Sequence, residues 1–466
     1  MAKNFVVLLN VNPHSKLAGR RVVRIPQGCR RGCGNLSSMR TPVAPDSVHA
    51  GEKPTRYVAL LFIVSTVSLM DRQILAILLE PIKRELGASD TEMGLLTGFA
   101  FVLFFALASV PIARLADRHS RRNIIAVALA FWSVMTMLSG YVATFLQLAA
   151  ARIGLGISEA AATPASASML SDLFPRERRT TPLALLAVAA PVGTMLAFTI
   201  GGIVNAAVGW RMTFVALGAP GLLLTVVMLL TIREPRRGAA EAPGVGAEQY
   251  GLSDTIGYLW RLRSLRWLAV GASLNVFAAS AKVVWSAPFL IRAHNMNTAE
   301  AGAWLGITTG IGGTAGIILG GLAAQRLSRR DPAWLLRVPA ATSALAAPFV
   351  MLFLTLPPSS APVMNLGATF LGSCMVAPVL AVSQTLAKVR MRALAVALVS
   401  LVVNVIGAGL GPLTVGLSSD LLAPSLGPSS IRYALLVPAV IALLGAALCF
   451  NRAARYVASE FERARE

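Results

Sequence analysis

The sequence predicts an all-α membrane protein whose twelve transmembrane helices form two pseudo-symmetric six-helix halves. Three observations lead to this prediction. The chain of 466 residues is 55% hydrophobic and only 14% charged, whereas soluble domains carry about 25% charged residues. Apolar runs that are long enough to cross a bilayer alternate with short charged gaps. The second half of the chain also repeats features of the first half at a nearly constant offset.

The helices follow from the apolar runs between the clusters of charge. The first run exceeds the ~20 apolar residues that a bilayer requires, and the second opens with the capping-box pattern Ser89-x-x-Glu92. The predicted spans are Tyr57–Leu79, Glu92–Leu115, Asn123–Ala143, Phe145–Phe174, Thr181–Val208, Met212–Ile232, Trp267–Arg292, Glu300–Leu327, Leu335–Leu356, Val363–Leu386, Ala393–Leu422 and Tyr433–Phe450.

These spans divide the chain into five parts. A first half (57–232) and a second half (267–450) are joined by a cytoplasmic linker (233–266), which contains a polar stretch rich in Pro and Gly. Residues 451–466 are expected to form a cytoplasmic tail. Residues 1–56 are basic and rich in Pro, Gly and Ser, so we expect a disordered cytoplasmic tail, with Met39 as an alternative start.

The four cysteines and the N-terminal tail carry no recognisable site. The pair Cys29 and Cys33 has no His or Cys partner nearby, so neither a metal site nor a disulfide framework is predicted. The apolar stretch in this tail is too short for a signal peptide.

The distribution of charge predicts the orientation of the protein. The net charge of +21 would suggest nucleic-acid binding in a soluble protein, but the bases cluster in every second gap between apolar runs. This is the positive-inside pattern. We therefore expect a multi-pass protein of the plasma (inner) membrane, with both termini in the cytoplasm and no nucleic-acid partner. The clusters are Arg114–Arg122, Arg176–Arg179, Arg233–Arg237 with Arg261–Arg266, Arg326–Arg337, Lys388–Arg392 and the residues from Arg452 onward.

An internal repeat relates the two halves. A shift of about 208 residues places Gly94-x3-Gly98 on Gly302-x3-Gly306, and it places the bases that follow the second helix on those that follow the eighth. The superimposed bases are Arg118, Arg121 and Arg122 with Arg326, Arg329 and Arg330, and Asp117 falls on Gln325. A parallel repeat of two six-helix units is the pattern of the major facilitator transporters.

The loop after the second helix resembles the signature loop of that superfamily. It reads Ala113-Arg-Leu-Ala-Asp117-Arg118-His-Ser-Arg121-Arg122, where the family pattern is Gly-x-x-x-Asp-Arg-x-Gly-Arg-Arg. The resemblance implies that Asp117, Arg118, Arg121 and Arg122 form a cytoplasmic gate network that stabilises one conformation. The copy in the second half lacks the acid, so the network is expected to be asymmetric.

A narrower resemblance is to the spinster-like branch, over roughly Tyr57 to Leu422. It is carried by Asp71-Arg72, by Arg152-Ile-Gly-Leu-Gly-Ile-Ser-Glu159, and by Asp172-Leu-Phe-Pro175, Pro191-Val-Gly193, Gly209-Trp210-Arg211 and Asn404-x-x-Gly407-x-Gly409-x-Gly411-Pro412. This branch implies proton-coupled transport of lipid-like or organic compounds.

Five charged residues lie in the predicted membrane helices away from the helix ends, and they are Asp71, Arg72, Arg152, Glu159 and Lys282. At a rise of about 1.5 Å per residue, Asp71, Glu159 and Lys282 each lie roughly 21–22 Å from the cytoplasmic end of their helices. A charge at that depth is costly and marks a polar cavity or a partner. Arg152 and Glu159 share one helix face but lie too far apart to pair directly, so we expect each to have a partner on another helix.

Each of these five residues has a predicted role. Asp71 and Glu159 are the candidate proton-coupling groups, because a neighbouring cation that moves away would allow a buried carboxylate to take up a proton. Arg72, Arg152 and Lys282 are the candidate bases of a substrate cavity. Purely structural alternatives remain open for each of them, such as a salt bridge for Glu159 or a snorkelling side chain for Arg152.

The function class that fits best is a proton-coupled secondary active transporter working by alternating access, with an amphipathic or lipid-like anion as substrate. Alternatives are a carrier of small organic anions, a cation or drug antiporter and, more remotely, a non-transporting membrane sensor. No nucleotide-binding loop, hydrolase-like triad or metal cluster is visible in the sequence, so we predict neither an enzyme nor a cofactor. The expected partners are the substrate, protons and the bilayer, and the protein is expected to be a monomer.

Overall fold

The protein is helical throughout the parts that its computed structural model describes, which are residues 54–174, 178–235, 252–387 and 391–463. No strand occurs in these ranges, in agreement with the predicted fold class. Apolar side chains dominate the described helices, and many large ones are exposed on the outer surface, such as Val127, Leu230 and Leu421. That distribution suits a protein whose outer surface faces lipid.

We number the long helices α1 to α12. In chain order they are α1 (Pro54–Leu86), α2 (Asp90–Leu95, Leu96–Ala100 and Phe101–Arg118), α3 (Arg121–Ser139), α4 (Phe145–Glu159 and Ala162–Leu173), α5 with α6 (Thr180–Thr231), α7 (Arg263–His294), α8 (Thr298–Ser328), α9 (Trp334–Thr355), α10 (Ala361–Ser373 and Val376–Leu386), α11 (Arg392–Val402, Val403–Gly409 and Leu410–Leu426) and α12 (Ser430–Arg463). A short linker helix, Leu252–Arg261, precedes α7.

The helices agree with the predicted spans and extend several of them. Nine segments of the described chain are long and apolar enough to cross a membrane, and two of these segments each contain a pair of helices. Gly209 separates α5 from α6 with a φ of 80°, which glycine adopts without strain. The predicted capping box at Ser89 and Glu92 is confirmed. Helix α12 continues to Arg463, so the segment expected to be a tail begins as helix.

Two prolines explain where α4 and α10 are interrupted. Proline has no N–H for the carbonyl four residues earlier, and its ring clashes with that carbonyl. Pro164 therefore removes the bond to Ala160, where the first part of α4 ends, and Pro378 does the same at Cys374 in α10. The break in α4 falls directly after Glu159, so the candidate site lies at a helix discontinuity.

The repeated glycine pairs lie where the two halves meet. Gly94 and Gly98 of α2 face α11, and a Cβ atom at either position would lie 2.5 Å from a carbonyl oxygen of that helix. Gly302 of α8 faces α5 in the same way, and its Cβ atom would lie 3.1 Å from the Cα atom of Gly202. The repeated glycines therefore allow close helix packing between the halves.

The halves are joined by polar contacts at one end of the bundle. We call the end that carries Arg118 and Arg326 the basic end, and the end that carries Asp90 and Arg292 the opposite end. Between described residues, every hydrogen bond and ion pair that links α1–α6 to α7–α12 lies at or near the opposite end.

Candidate functional site

Asp71 lies in the middle of α1 and is completely buried. Neither of its carboxylate oxygens has a hydrogen-bond partner in the structure. A charge in such a position is stabilised only by opposite charges nearby. The sequence prediction that Asp71 marks an internal polar site therefore agrees with its surroundings.

Arg152 of α4 supplies the nearest interaction with Asp71. It is 2% exposed, and its Nη1 atom donates a hydrogen bond of 3.1 Å to the backbone carbonyl of Asp71. Its guanidinium also lies over the ring of Phe214, 4.8 Å from the ring centre. The Nε and Nη2 atoms have no hydrogen-bond partner. Arg152 therefore contacts both α1 and α6, and it has the partner on another helix that we expected. The bond, however, is to the backbone carbonyl of Asp71 and not to its carboxylate.

Glu159 and Arg72 complete the N-terminal charge cluster, which we define as Asp71, Arg72, Arg152 and Glu159. Glu159 is 4% exposed, and one of its carboxylate oxygens has no hydrogen-bond partner. It lies within electrostatic reach of both Arg72 and Arg152, and also of Asp71. The guanidinium of Arg72 stacks over Phe101 at 4.6 Å.

The N-terminal charge cluster contains two acids and two bases, yet these four residues form no salt bridge with one another within 4.0 Å. The charges are therefore close enough to balance one another but are not fixed as direct pairs. Such an arrangement leaves donor and acceptor positions for a proton, water or a polar ligand.

Lys282 lies in the other half and does not join the N-terminal charge cluster. Its Nζ atom donates hydrogen bonds to Asn365 Oδ1 at 2.7 Å and to Thr369 Oγ1 at 2.5 Å, both on α10. Asn365 in turn donates to Thr308 Oγ1 of α8 at 2.6 Å. We call Lys282, Asn365, Thr369 and Thr308 the C-terminal polar cluster. Sequence analysis identified the lysine but missed its three neutral partners, since isolated Asn and Thr residues in apolar helices carry no strong signal.

The predicted gate residues lie at the basic end, where Arg121 forms the centre of a network within the first half. Arg121 is 3% exposed and contacts Asp172 at 2.5 Å and Glu234 at 2.9 Å. Arg122 donates its backbone N–H to Glu234, and its side chain bonds to the carbonyl of Leu229. The network thus joins α3, the end of α4 and the end of α6.

The other two predicted gate residues contribute differently. Arg118 is exposed and has no hydrogen bond or ion pair in the described part of the chain, and the side chain of Asp117 lies outside the described residues. Sequence analysis did not assign Glu234, although an acid between Arg233 and Pro235 at an otherwise basic end is a usable signal.

Glu234 remains ionised in this network. Burial alone would raise the pKa of its carboxyl, but hydrogen bonds from the Arg122 amide, the Arg121 guanidinium and the Ser120 hydroxyl together lower the pKa below its ordinary value of 4.5. The stability that Glu234 contributes is therefore fully present above about pH 4.5, and it is lost only as the pH falls through the lowered pKa.

A second ion network, at the opposite end, was not expected from the sequence. Arg292 of α7 contacts Asp90 of α2 through two hydrogen bonds of 2.7 Å, and it contacts Glu80 of α1 at 2.6 Å. The carboxylate of Asp420 on α11 accepts the backbone N–H groups of Asp90 and Thr91, which caps the N-terminus of α2. These contacts link the two halves directly.

A lateral groove of about 560 Å³ lies on the outer surface of α2, α3 and α4. Its walls include the exposed side chains of Val127 and Phe131, so it opens away from the interface between the halves. Its mainly apolar lining suits a hydrocarbon chain. Elsewhere, within the described ranges, no group of three or more His, Cys, Asp or Glu residues is arranged to hold a metal ion.

Comparisons with known proteins agree with this architecture. Residues 61–412 match the sequence profile of the Major Facilitator Superfamily. An "MFS-type efflux pump" of Mycolicibacterium smegmatis is 33% identical over 422 residues, which cover 90% of this chain and 96% of that protein. The Danio rerio "Sphingosine-1-phosphate transporter SPNS2" is 27% identical over 299 residues, which cover 60% of this chain and 59% of that protein.

A solved structure is also similar. The crystal structure of a bacterial homologue of the human lysosomal transporter Spinster, in an inward-facing and unoccupied conformation, has a TM-score of 0.75 and 26% sequence identity. The similarity covers 89% of this chain and 99% of that chain.

Proposed function

The protein belongs to the Major Facilitator Superfamily and is similar to its spinster-type transporters, and we propose that it is a proton-coupled secondary transporter, not an enzyme. The observation that carries the proposal is the N-terminal charge cluster. Asp71 and Glu159 are buried carboxylates with unpaired oxygens, close to two arginines but not bonded to them. Taking up a proton relieves the cost of a buried anion, and losing it restores the attraction to arginine.

Alternating access would couple proton uptake and release to movement of the substrate. The halves contact each other through polar side chains at the opposite end, and the positive-inside rule assigns the basic end to the cytoplasm. On this assignment the contacts favour a form that is closed toward the outside. Because the N-terminal charge cluster lies within the first half, rocking of the halves would expose it to water on one side or cover it with the second half. The change in burial would change the affinity of the carboxylates for protons.

The gate residues act on this equilibrium and not on the substrate. Arg121 and Arg122 bond within the first half at the basic end, far along their helix from the membrane interior. We assign Asp117, Arg118, Arg121 and Arg122 to the stabilisation of one closed state.

The substrate we propose is amphipathic or lipid-like. The name of the Danio rerio relative supports this class, and a small organic anion is the alternative. Arg72, Arg152 and Lys282 are the bases that such a substrate would meet inside the membrane. With Asp71 and Glu159 protonated, these bases make the interior positive and favour a negatively charged group.

Transport in proteoliposomes tests proton coupling. Vesicles with an imposed pH gradient would be assayed with radiolabelled lysolipids and small organic anions. We expect Asp71→Asn and Glu159→Gln to fold but to lose stimulation by the gradient. Asp254→Asn, on the exposed face of the linker helix, is the matched control and should behave as wild type. If both site variants kept full dependence on the gradient, proton coupling through these carboxylates would be wrong.

We also propose that the protein is a monomer in the plasma (inner) membrane, with both termini in the cytoplasm. Reporter fusions at the C-terminus would check the orientation, and the mass of the detergent-solubilised protein would check the oligomeric state. A C-terminus that is active outside the cytoplasm, or a stable dimer, would contradict these expectations.

A further inference from the structure

Lys282 is a buried basic side chain without an acidic partner. It is 6% exposed, and its hydrogen-bond partners are the neutral side chains of Asn365 and Thr369. Burial of an ammonium group without an opposite charge is costly, even when it is hydrogen-bonded. Lysine residues in membrane interiors normally face a partner or a cavity.

The second half of the chain offers no acid to balance this charge. In sequence, α7 carries no other charged residue between Trp267 and Ile291, and α10 carries none at all between Ala361 and Leu386. The charged residues of α8, α9, α11 and α12 lie near the helix ends. They are Glu300, Arg326, Arg337, Arg392, Asp420, Arg432 and the residues from Arg452 onward.

The first half does not supply the missing anion either. Asp71 and Glu159 lie within electrostatic reach of Arg72 and Arg152, which gives two acids to two bases. Arg152 is further occupied by a carbonyl and by the ring of Phe214. Among the described residues, Lys282 is therefore the one base of the membrane interior that has no acid within electrostatic reach.

The geometry around Lys282 leaves two donors free for an anion. An ammonium group has three N–H donors, and two of them are used. Thr369 accepts from the lysine, and its own hydroxyl hydrogen has no acceptor in the described part of the chain. Asn365 is oriented by its bond to Thr308, so that its oxygen faces the ammonium.

Thr369 lies on the more open side of this position. The space beyond Asn365 and Thr308 measures only about 10 Å³, which is enough for roughly one water molecule and too small for a carboxylate or phosphate. Thr369 is half-buried, whereas Asn365 is 2% exposed. An incoming group would therefore meet the hydroxyl of Thr369 and the third N–H of Lys282 together.

We propose that Lys282 and Thr369, held by Asn365, form the subsite for the anionic group of the transported substrate, a carboxylate or phosphate. This inference rests on the proposed transport function and deepens it, because it assigns substrate charge to the second half and proton coupling to the first. Lys282 contacts the anion, Thr369 donates a second hydrogen bond, and Asn365 is a positioning residue.

Equilibrium binding to the full-length protein in nanodiscs tests the subsite. Three radiolabelled probes would be compared: a lysophosphatidate, the monoacylglycerol of the same chain length, and glycerol 3-phosphate. Wild type should prefer the lysophosphatidate to the monoacylglycerol. Lys282→Gln should abolish this preference, with a loss of about tenfold or more in affinity for the anionic probe only, as expected for the loss of a charged hydrogen bond. Lys282→Arg should retain part of it.

A second variant keeps the test decisive if Lys282→Gln folds poorly. Asn365→Asp places an internal counter-ion beside the ammonium and should block the anionic probe. Asn275→Asp is the matched control, because Asn275 lies on α7, seven residues from Lys282, and bonds to Ser343 instead. It should leave the preference unchanged.

The binding data distinguish the two possible sources of the anion and can also overturn the proposal. Binding of glycerol 3-phosphate as tight as that of the lysophosphatidate would support the subsite with a small organic anion as its source, and weak binding would support an amphipathic source. Equal binding of the anionic and neutral probes by wild type, or a preserved preference in Lys282→Gln, would overturn the proposal. Stimulation by a pH gradient, measured separately, would still report on Asp71 and Glu159 alone.

Discussion

At the scale of single residues, the protein stabilises buried charge in three different ways. The carboxylate of Asp71 lies near arginines without a direct bond to them, Lys282 bonds to neutral oxygens, and Arg292 is fixed in direct ion pairs. Only the third arrangement pairs opposite charges directly, and it lies where the halves meet. The two arrangements without ion pairs are those to which we assign protons and substrate.

Removal of Arg292 should weaken closure of the opposite end. Arg292→Gln leaves Asp90 and Glu80 without their shared cation across the interface, which we expect to cost the closed form about 2 kcal/mol, or roughly a thirtyfold change in its ratio to the open form. Distances between spin labels on the two halves would measure this ratio.

The matched control for this change is Arg211→Gln. Arg211 also lies at the opposite end but pairs with Glu85 within the first half, so it does not bridge the halves. Its removal should leave the label distances unchanged. If Arg292→Gln behaved in the same way as Arg211→Gln, the ion network would not be what holds this end closed.

At the scale of helices, small residues and prolines determine how closely and how straight the helices pack. The prolines of α4 and α10 interrupt equivalent helices in the two halves, and the break in α4 follows Glu159. The glycine pairs of α2 and α8 permit backbone contact across the interface. A transporter needs such contacts to form and separate repeatedly, and smooth helix surfaces allow this better than interlocked large side chains.

Gly302→Ala should separate α5 from α8. The added methyl group would overlap the carbonyl oxygen of Phe198, which belongs to the backbone and cannot rotate away. Overpacking of this kind typically costs about 1–3 kcal/mol, and here it falls on the form that is closed at the opposite end. Accessibility of a cysteine introduced at Thr298 to a polar thiol reagent should therefore increase.

Gly372→Ala serves as the control for the same substitution. Gly372 lies in α10, and a Cβ atom there would meet no atom within 4 Å. This variant should show the thiol accessibility of wild type. A similar increase in both variants would point to a general loss of helix packing instead of a specific contact between α5 and α8.

At the scale of the whole molecule, the two basic loops that follow α2 and α8 must approach each other when the basic end closes. The first loop carries Arg118, Arg121 and Arg122 with the acid Asp117, while the second carries Arg326, Arg329 and Arg330 with Gln325 in place of the acid. Like charges that come together oppose closure, and the effect is screened by salt. Asp117 offsets part of this repulsion at the end of α2, whereas the acid of the second loop, Asp331, is paired with Arg337.

Asp117→Ala should shift the population toward the form that is open at the basic end, since it removes an acid that offsets the positive charge of these loops. Gln325→Asp adds an acid at the equivalent position of the second half and should shift the population the other way. Distances between labels at the basic end, measured at low and high salt, would check both. Shifts in the same direction, or shifts that salt does not reduce, would contradict the electrostatic account.

The fold class and the family were predictable from the amino-acid sequence alone, and both are confirmed. Hydropathy and the positions of the basic loops are read along the chain, so these signals do not depend on how the helices pack. The capping box at Ser89 was predictable for the same reason, and it is confirmed.

Which charges meet could be seen only in the folded arrangement of the helices. Arg152 bonds to the carbonyl of Asp71, Lys282 lies in a separate neutral cluster, and Arg292 joins the halves through Asp90. Each of these contacts depends on the rotation of the helices about their axes and on the angles at which they cross. The sequence of a single helix determines neither the rotation nor the crossing angle. For that reason a charge could be assigned a depth from the sequence, whereas its partner could not.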